Sequence, residues 1–222
     1  PLINIWHKKG IYIRQGFGLT EVGPNCFSLH QDDAIRKKGS IGFPNFYIET
    51  KIVKEDGSEC AVNEVGELWL KSPVVTLGYW KNDKESKESI TDGWFHTGDL
   101  VKRDEEYYFY VVDRKKNMYI SGGENVFPAE IESYLYTNDK IKEVAVIGVE
   151  DQKWGEVGKA YVVLKENCNA LENEILDYCK GNLAKYKIPK YIEFIDELPK
   201  SEAGKIDKKK LIQIHLDSLN NN

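Results

Sequence analysis

The first half of the chain alternates short runs of aromatic and β-branched residues with polar turns. The runs GELWLKSP (66–73) and YYFYVVD (107–113) have the composition of β-strands. The Asp56-Gly57 pair suits a hairpin turn between two such runs. The charged segment KNDKESKESITDG (81–93) predicts a surface stretch with room for a short helix. This pattern predicts an irregular antiparallel β structure.

The second half alternates helical and strand periodicity. The spacing predicts helices over PAEIESYLYT (128–137), ALENEILDYCKGNL (170–183) and DKKKLIQIHLDSL (207–219), and strands over EVAVIGV (143–149), KAYVVLK (159–165) and KYIEFID (190–196). The last two predicted helices should bury one face each, through Leu171, Ile175, Leu176 and Cys179 in one and Leu211, Ile214 and Leu219 in the other.

The predicted fold class is therefore α+β, in two parts. An N-terminal antiparallel β subdomain covers residues 1–115, and a compact α+β domain covers residues 116–222. The boundary lies in the charged stretch DRKKN (113–117). The part that begins at Met118 has about 100 residues, a common size for one domain.

Composition excludes several classes of protein. The chain has 222 residues, of which 41% are hydrophobic and 30% charged, as in ordinary globular proteins. Its net charge of −5 argues against sequence-independent binding to nucleic acid. No apolar run approaches the length of a transmembrane segment, and no secretory signal is visible, so a cytoplasmic protein is expected.

The cysteines and histidines give no metal signature. The four histidines are scattered, and no Cys-x-x-Cys pair occurs, so zinc spacing is absent. Reduced structural thiols are the expectation, and a cysteine nucleophile is the alternative. The four thiols belong to Cys26, Cys60, Cys168 and Cys179.

The segment GFGLTEVGP (16–24) combines several ligand-binding groups. Gly18 allows close approach of the backbone to a ligand, and Phe17 offers a flat face. Thr20 offers a hydroxyl, and the Glu21 carboxylate suits a hard cation. The alternative interpretation is a glycine-flanked turn beside a strand.

Two further segments carry groups suited to a nucleotide. In FHTGDL, the Asp99 carboxylate can accept two hydrogen bonds from the vicinal hydroxyls of a ribose, or it can be a turn residue. In DRKKNMYISGGENVFPAEIE, Arg114 can bind a diol or a phosphate with two parallel donors. Gly122 and Gly123 form a turn that can approach a ligand closely, and a hairpin followed by a helix is the alternative.

The segment LPKSEAGKIDKKKL (198–211) places Gly204 directly before Lys205. It is either a solvated tail or a loop that brings a cation to a phosphate. The lysines of Lys208–Lys210 are expected on the solvated face of a helix.

The order and spacing of these segments are more specific than any one of them. GFGLTE, GELWLKSPVVTLGYW, GWFHTGDL, DRKKNMYISGGENVFPAEIE and LPKSEAGKIDKKKL follow one another from about Arg14 to Leu211. The series resembles the core motifs of the adenylate-forming superfamily, which includes AMP-forming acyl-CoA synthetases, luciferases and the adenylation domains of peptide synthetases. The resemblance makes residues 1–115 a remnant of the large AMP-binding domain and residues 116–222 its mobile lid.

The resemblance implies a reaction in two halves. A small carboxylic acid attacks the α-phosphate of ATP and gives an acyl-adenylate and pyrophosphate, and the thiol of coenzyme A then expels AMP. ATP, Mg²⁺ and coenzyme A are the implied cofactors, and a homo-oligomer stays open. By the same resemblance, Phe17 and Gly18 would lie at the adenine, Thr20 at the α-phosphate, Glu21 on Mg²⁺, and Asp99 and Arg114 on the ribose hydroxyls.

The remaining roles concern the second domain. Lys205 would be the adenylation lysine, whose cation offsets the charge that builds at the α-phosphorus. Lys116 would be the hinge about which this domain rotates between the half-reactions. Rotation would withdraw Lys205 and bring the turn at Gly122 and Gly123 beside the pantetheine thiol.

The branch of the superfamily is narrowed by two details. Many relatives have Gly before the ribose arginine, whereas this chain has Asp113, a feature shared with luciferases and several fatty acyl-CoA synthetases. The SGGEN turn is typical of acyl-CoA synthetases. A fatty acid substrate is expected, which leaves peripheral membrane association open. The alternatives are an aryl acid, succinylbenzoate or a carrier-protein acceptor, and, from another class, a non-catalytic interaction module.

The family's Ser/Thr/Gly-rich phosphate loop, which precedes the GFGLTE motif, is not found in these 222 residues. The chain begins at Pro1, a few residues before that motif. It is therefore expected to be a fragment that lacks most of the acyl pocket and is inactive alone.

Overall fold

The computed structural model describes residues 2–220, and it divides the chain into two compact units, Pro1–Lys115 and Lys116–Asn222. Helices and mainly antiparallel sheets occur together, which confirms the α+β class. Among the described residues, no helix has the length and apolar character needed to cross a membrane.

The first unit consists mainly of two antiparallel sheets. Its elements are α1 (Leu2–His7), β1 (Gly16–Leu19), β2 (Gly23–Ser28), β3 (Phe43–Pro44), β4 (Glu49–Val53), β5 (Gly66–Lys71), α2 (Asp83–Ser89), β6 (Ile90–Thr91), β7 (Trp94–Arg103) and β8 (Phe109–Arg114). Strands β1, β2 and β3 form one sheet, and β4, β5, β7 and β6 form the other, with β8 paired to β7.

Alternation of buried and exposed side chains accounts for the strands of the first unit. Leu68 and Leu70 of β5 are fully buried, while Glu67 and Trp69, which alternate with them, are half-buried. They pack with Phe27 of β2 and with Phe95 and Val101 of β7 in one hydrophobic core. This core joins the two sheets and holds the strands that carry the candidate site.

The second unit is a five-stranded sheet with helices on both faces. Its elements are β9 (Tyr119–Ser121), β10 (Glu124–Val126), α3 (Pro128–Leu135), β11 (Ile141–Asp151), β12 (Gly155–Leu164), α4 (Glu172–Cys179), β13 (Tyr191–Phe194) and α5 (Lys208–Asn220). The strand order is β10-β9-β12-β11, and β13 pairs with β12 in parallel.

The buried side chains of β11 alternate between two cores. Val144 and Val146 face the core that contains residues of α3 and α4. Ala145 and Ile147 face a second core, to which α5 contributes Leu211. Because successive side chains of a strand point to opposite faces, α3 and α5 lie on opposite sides of the sheet.

A pair of glycines makes room for a buried tyrosine in the second unit. Gly148 of β11 and Gly158 of β12 are register partners. A Cβ on Gly148 would lie 2.5 Å from Tyr119 Cβ, and one on Gly158 would lie 2.6 Å from Tyr119 Oη. The tyrosine side chain therefore lies across both strands, in space that any larger residue would fill.

The predicted inner faces of the last two helices are only partly correct. Leu171 is 72% exposed because it is the N-cap residue of α4 and so precedes the helix. In α5, Leu211 is buried, but Ile214 and Leu219 are 45% and 60% exposed. The prediction for Lys208 is also wrong, because its ammonium group pairs with the Glu132 carboxylate at 2.6 Å.

Candidate functional site

Asp99 lies in a bulge of β7. The register between β5 and β7 shifts there, so that Thr97, Gly98 and Asp99 stand opposite Leu68 alone. Thr97 Oγ1 donates to the Leu68 carbonyl at 2.7 Å and accepts from the Asp99 amide at 3.0 Å. Gly98 has a φ of +68°, which favours glycine at this position. The bulge therefore fixes the backbone that carries the Asp99 carboxylate.

Asp99 and Arg114 form an ion pair across two strands. They are register partners on β7 and β8, and Arg114 Nε lies 2.7 Å from Asp99 Oδ1. Asp99 is 5% exposed, whereas the Arg114 side chain is 44% exposed. A buried carboxylate thus holds one edge of a guanidinium that still reaches solvent, an arrangement suited to recognising a diol or a phosphate.

Glu21 is held from a distant segment of the first unit. The Tyr79 hydroxyl donates to Glu21 Oε1 at 3.0 Å, and the Thr76 amide donates to the Glu21 carbonyl at 2.7 Å. Burial and the hydrogen bond to this carboxylate raise the pKa of Tyr79. Tyr79 was missed in the sequence, although it lies within the GELWLKSPVVTLGYW motif.

A cavity of about 610 Å³ brings Glu21 and Arg114 together. Carboxylates of Glu67, Glu85 and Glu88 also line it. The described residues hold no group of three or more His, Cys, Asp or Glu side chains that could bind a metal. A single carboxylate such as Glu21 suits Mg²⁺, which commonly takes one or two carboxylates together with phosphate oxygens and water.

His96 also lines this cavity and was not identified from the sequence. Its ring stacks on Trp69 with centroids 3.8 Å apart and planes 10° apart, and its Nε2 lies 2.7 Å from Thr91 Oγ1. Burial lowers the pKa of His96, which favours the neutral imidazole. The His96 ring therefore adds a fixed polar group to the cavity, which Tyr79 also lines.

Phe17, Gly18 and Thr20 do not line the cavity. The Phe17 ring packs edge-on against Phe27, with centroids 5.8 Å apart. A Cβ on Gly18 would lie 2.2 Å from the Pro24 carbonyl carbon, so the hairpin itself requires glycine there. Thr20 is exposed at the connection between β1 and β2. The nucleotide roles of these three residues stay predictions.

In the second unit, Gly122 and Gly123 form the two-residue turn between β9 and β10. Their φ angles are +60° and +88°, as a tight hairpin turn requires. The Gly122 amide donates to the Trp154 carbonyl at 2.9 Å, and a Cβ on Gly122 would lie 2.9 Å from the Trp154 ring. The hairpin is as predicted, and its role toward a ligand stays a prediction.

Lys205 lies in a compact loop before α5. The Ser201 amide donates to the Lys205 carbonyl at 2.7 Å, and Gly204, with a φ of +73°, donates to the Ser201 carbonyl at 2.8 Å. The Lys205 side chain is exposed, and no carboxylate within residues 2–220 pairs with it. Lys116, the predicted hinge, is the first residue of the second unit and part of the 3-10 turn Lys115–Asn117.

Comparison with known families identifies the class of protein. Residues 2–80 match the model of the AMP-binding enzyme, and residues 130–205 match the model of the AMP-binding enzyme C-terminal domain. The chain belongs to the adenylate-forming superfamily of AMP-binding enzymes, as its motifs predicted.

Individual relatives are similar over nearly the whole chain. A 2-succinylbenzoate–CoA ligase of Geobacillus kaustophilus is 41% identical over 95% of this chain and 43% of its own length. A feruloyl-CoA synthase of Amycolatopsis is 42% identical over 90% of this chain and 41% of its own. The chain therefore spans less than half the length of these relatives.

A solved structure supports the same relationship. The o-succinylbenzoate CoA synthetase of Bacillus subtilis, in complex with its acyl-adenylate intermediate, matches with a TM-score of 0.89 at 40% identity. That match covers 95% of this chain and 43% of the other. The same enzyme has also been solved with ATP and a magnesium ion, and that structure matches with a TM-score of 0.86.

Proposed function

We propose that the protein to which these residues belong is an ATP-dependent, AMP-forming ligase that joins an aryl carboxylic acid to coenzyme A. The observation that carries the proposal is the cavity that Glu21 and Arg114 both line, with Asp99 paired behind Arg114. The similarity to AMP-binding enzymes supports a nucleotide as the ligand of this cavity.

Asp99 and Arg114 would hold the ribose. Vicinal hydroxyls are donors as well as acceptors, so they match a carboxylate beside a guanidinium. The ion pair at 2.7 Å already orients both groups before a ligand arrives. Phe17 and Gly18 would lie at the adenine.

Glu21 and Thr20 would act at the phosphates. Glu21 would be a ligand of Mg²⁺, whose charge offsets that of the phosphate oxygens when it is bound. Tyr79, bonded to Oε1 of the same carboxylate, would keep Glu21 in one orientation. Thr20 would donate its hydroxyl to the α-phosphate.

Lys205 would supply the cation for adenylation. An anionic carboxylate must approach an anionic phosphate, and a positive charge that touches both lowers this repulsion. The exposed, unpaired side chain of Lys205 can extend to a ligand without first breaking an ion pair with any described carboxylate. The turn at Gly122 and Gly123 would act in the thioester half-reaction, after rotation about Lys116.

The aryl acid is preferred to the fatty acid expected from the motifs. The relatives described above are named for 2-succinylbenzoate and for ferulate, which are both aromatic acids. Their identities of 41% and 42% support the aryl alternative, and these comparisons give no support to a role in fatty acid metabolism. The rate of acyl-CoA formation by the whole enzyme, measured with a panel of aryl and fatty acids, tests this choice. Faster turnover of a fatty acid than of the aryl acids would contradict it.

The 222 residues alone are expected not to form an acyl-adenylate, because they contain no recognisable phosphate loop. An ATP–pyrophosphate exchange assay on this chain, with the same acids, is expected to show no exchange. Exchange above the rate without acid would refute this part of the proposal.

The role of Lys205 is tested in the enzyme that contains the whole active site. Lys205→Ala should lower the rate of adenylation by about 100-fold to 1,000-fold, as expected for the loss of a transition-state charge contact. Thioester formation from a supplied acyl-adenylate should continue. Lys209→Ala, on the exposed face of α5, is the matched control and should leave both half-reactions unchanged. Loss of both half-reactions in Lys205→Ala, or of neither, would contradict the assigned role.

A further inference from the structure

In the second unit, an ion pair at the β11 edge of the sheet joins a helix on one face to a helix on the other. Glu132 lies on α3, on one face of this sheet, and Lys208 is the first residue of α5, on the other face. Lys208 Nζ lies 2.6 Å from Glu132 Oε1, and both side chains are less than one-fifth exposed, at 18% and 17%. A charge-assisted hydrogen bond at this burial is stronger than an ordinary surface ion pair.

The same carboxylate oxygen also contacts the sheet. Glu132 Oε1 accepts from the Val146 amide at 2.8 Å. Val146 belongs to β11, which is an edge strand of the sheet. One side chain therefore joins a helix on each face to the strand between them.

The loop that contains Lys205 ends directly at this ion pair. Within it, the Asp207 amide donates to the Pro199 carbonyl at 2.8 Å, and the Ser201 amide donates to the Lys205 carbonyl at 2.7 Å. These bonds give residues 199–207 a shape of their own. They do not fix that shape relative to the sheet. The placement of the loop depends on the packing of Ile206 against the core on the α5 side and on the ion pairs near either end.

Both ends of the loop are held by carboxylates of other elements. Lys200 pairs with Glu143 of β11 at 2.7 Å, but the Lys200 side chain is 46% exposed. The Lys208–Glu132 pair is the more buried of the two and has the additional bond to Val146. Of the two anchors, it is expected to contribute more to holding the loop.

We infer that Glu132 is a positioning residue that holds the Lys205 loop in place through Lys208. The importance of that loop for catalysis rests on the proposed function, whereas the mechanical link does not. Glu132 itself would touch neither nucleotide nor acid. Its loss would let the loop open locally while the rest of the second unit stays folded.

Amide hydrogen exchange of the 222-residue chain tests this link. In Glu132→Gln, the amides of Ser201, Gly204 and Asp207 should exchange about tenfold or more faster than in the wild type, because a buried charged hydrogen bond shifts an opening equilibrium by about that factor. Amides of β12, which exchange only on larger opening, should change less.

Three further variants make the result specific. Lys208→Met should speed exchange of the same loop amides while leaving the Glu132 carboxylate to accept from Val146. Lys208→Arg, which can restore the pair, should bring exchange back near the wild-type rate. Glu130→Gln is the matched control, because Glu130 is on the same helix but pairs with Lys187 at 2.8 Å. It should leave the loop unchanged.

The outcomes are separable from those of the proposed function. Any of three results would overturn the link. Loop and β12 amides could be accelerated equally, neither Glu132→Gln nor Lys208→Met could accelerate exchange of the loop amides, or Glu130→Gln could have an effect equal to that of Glu132→Gln. If Glu132→Gln does not fold, Lys208→Met decides by the same criterion. Should the half-reaction assay of Lys205→Ala fail instead, the function is wrong and the mechanical link stands on its own exchange data.

Discussion

Tyr119→Phe should stabilise the second unit. Tyr119 is 2% exposed, and its hydroxyl has no hydrogen-bond partner among the described residues. A buried polar group without a partner costs about 1–3 kcal/mol, and phenylalanine keeps the ring that fills the space over Gly148 and Gly158. A gain of about 1 kcal/mol is expected, which corresponds to a Tm rise of about 4 °C or more for a domain of this size.

Gly158→Ala extends the test to packing. Its Cβ would lie 2.6 Å from Tyr119 Oη but 3.5 Å from the ring carbon that bears this hydroxyl. Gly158→Ala should therefore cost about 1–3 kcal/mol in the wild type and clearly less when combined with Tyr119→Phe. The four proteins form a double-mutant cycle, measured by urea unfolding and followed by exchange of β11 and β12 amides.

The pH dependence gives an independent measurement of the same hydroxyl. Burial raises the pKa of Tyr119, so the folded chain keeps the proton that the unfolded chain loses. Stability from this group is present below a pH of about 10 and falls as the pH rises beyond it. Tyr119→Phe lacks this loss, so its advantage should widen above pH 10. A destabilised Tyr119→Phe, or an advantage that does not change with pH, would refute the reasoning.

Two other predictions concern packing and thiol reactivity. Gly18→Ala should destabilise the first unit by about 2 kcal/mol or more in urea unfolding, because its Cβ would meet the Pro24 backbone at 2.2 Å. Gly16→Ala, with its nearest contact at 3.1 Å, should cost less, and equal costs would contradict this explanation. With a thiol reagent at pH 8, Cys168 should react first, because the other three thiols are buried, and burial raises the pKa of Cys179 to about 11. Fast reaction of more than one thiol, or persistence of the fast phase in Cys168→Ser, would contradict it.

Strong periodicity explains why much of the second unit was predictable. EVAVIGV and KAYVVLK became β11 and β12, and PAEIESYLYT became α3. The depth to which α5 is buried was not predictable, because Ile214 and Leu219 have helical spacing but remain exposed. Hydrophobic spacing gives one face of a helix but does not show how much of that face meets a neighbour.

The candidate site was predictable in its residue types and not in its contacts. Asp99 and Arg114 were both selected from motifs, but their pairing follows from the register of β7 and β8. Tyr79 was missed because its hydrogen bond to Glu21 spans 58 residues of sequence. Local patterns carry no information about contacts of that kind until the sheets are formed.

The position of Glu132 has a consequence for aggregation of the chain. β11 contains the apolar segment VAVIGV at the outer edge of its sheet, and such uncharged, β-branched edges are templates for aggregation. The Glu132 carboxylate covers the Val146 amide at that edge, and the long side chain of Lys208 reaches the same point. The ion pair is therefore expected to act as a gatekeeper, so that its loss would promote association between copies of the chain before any loss of fold.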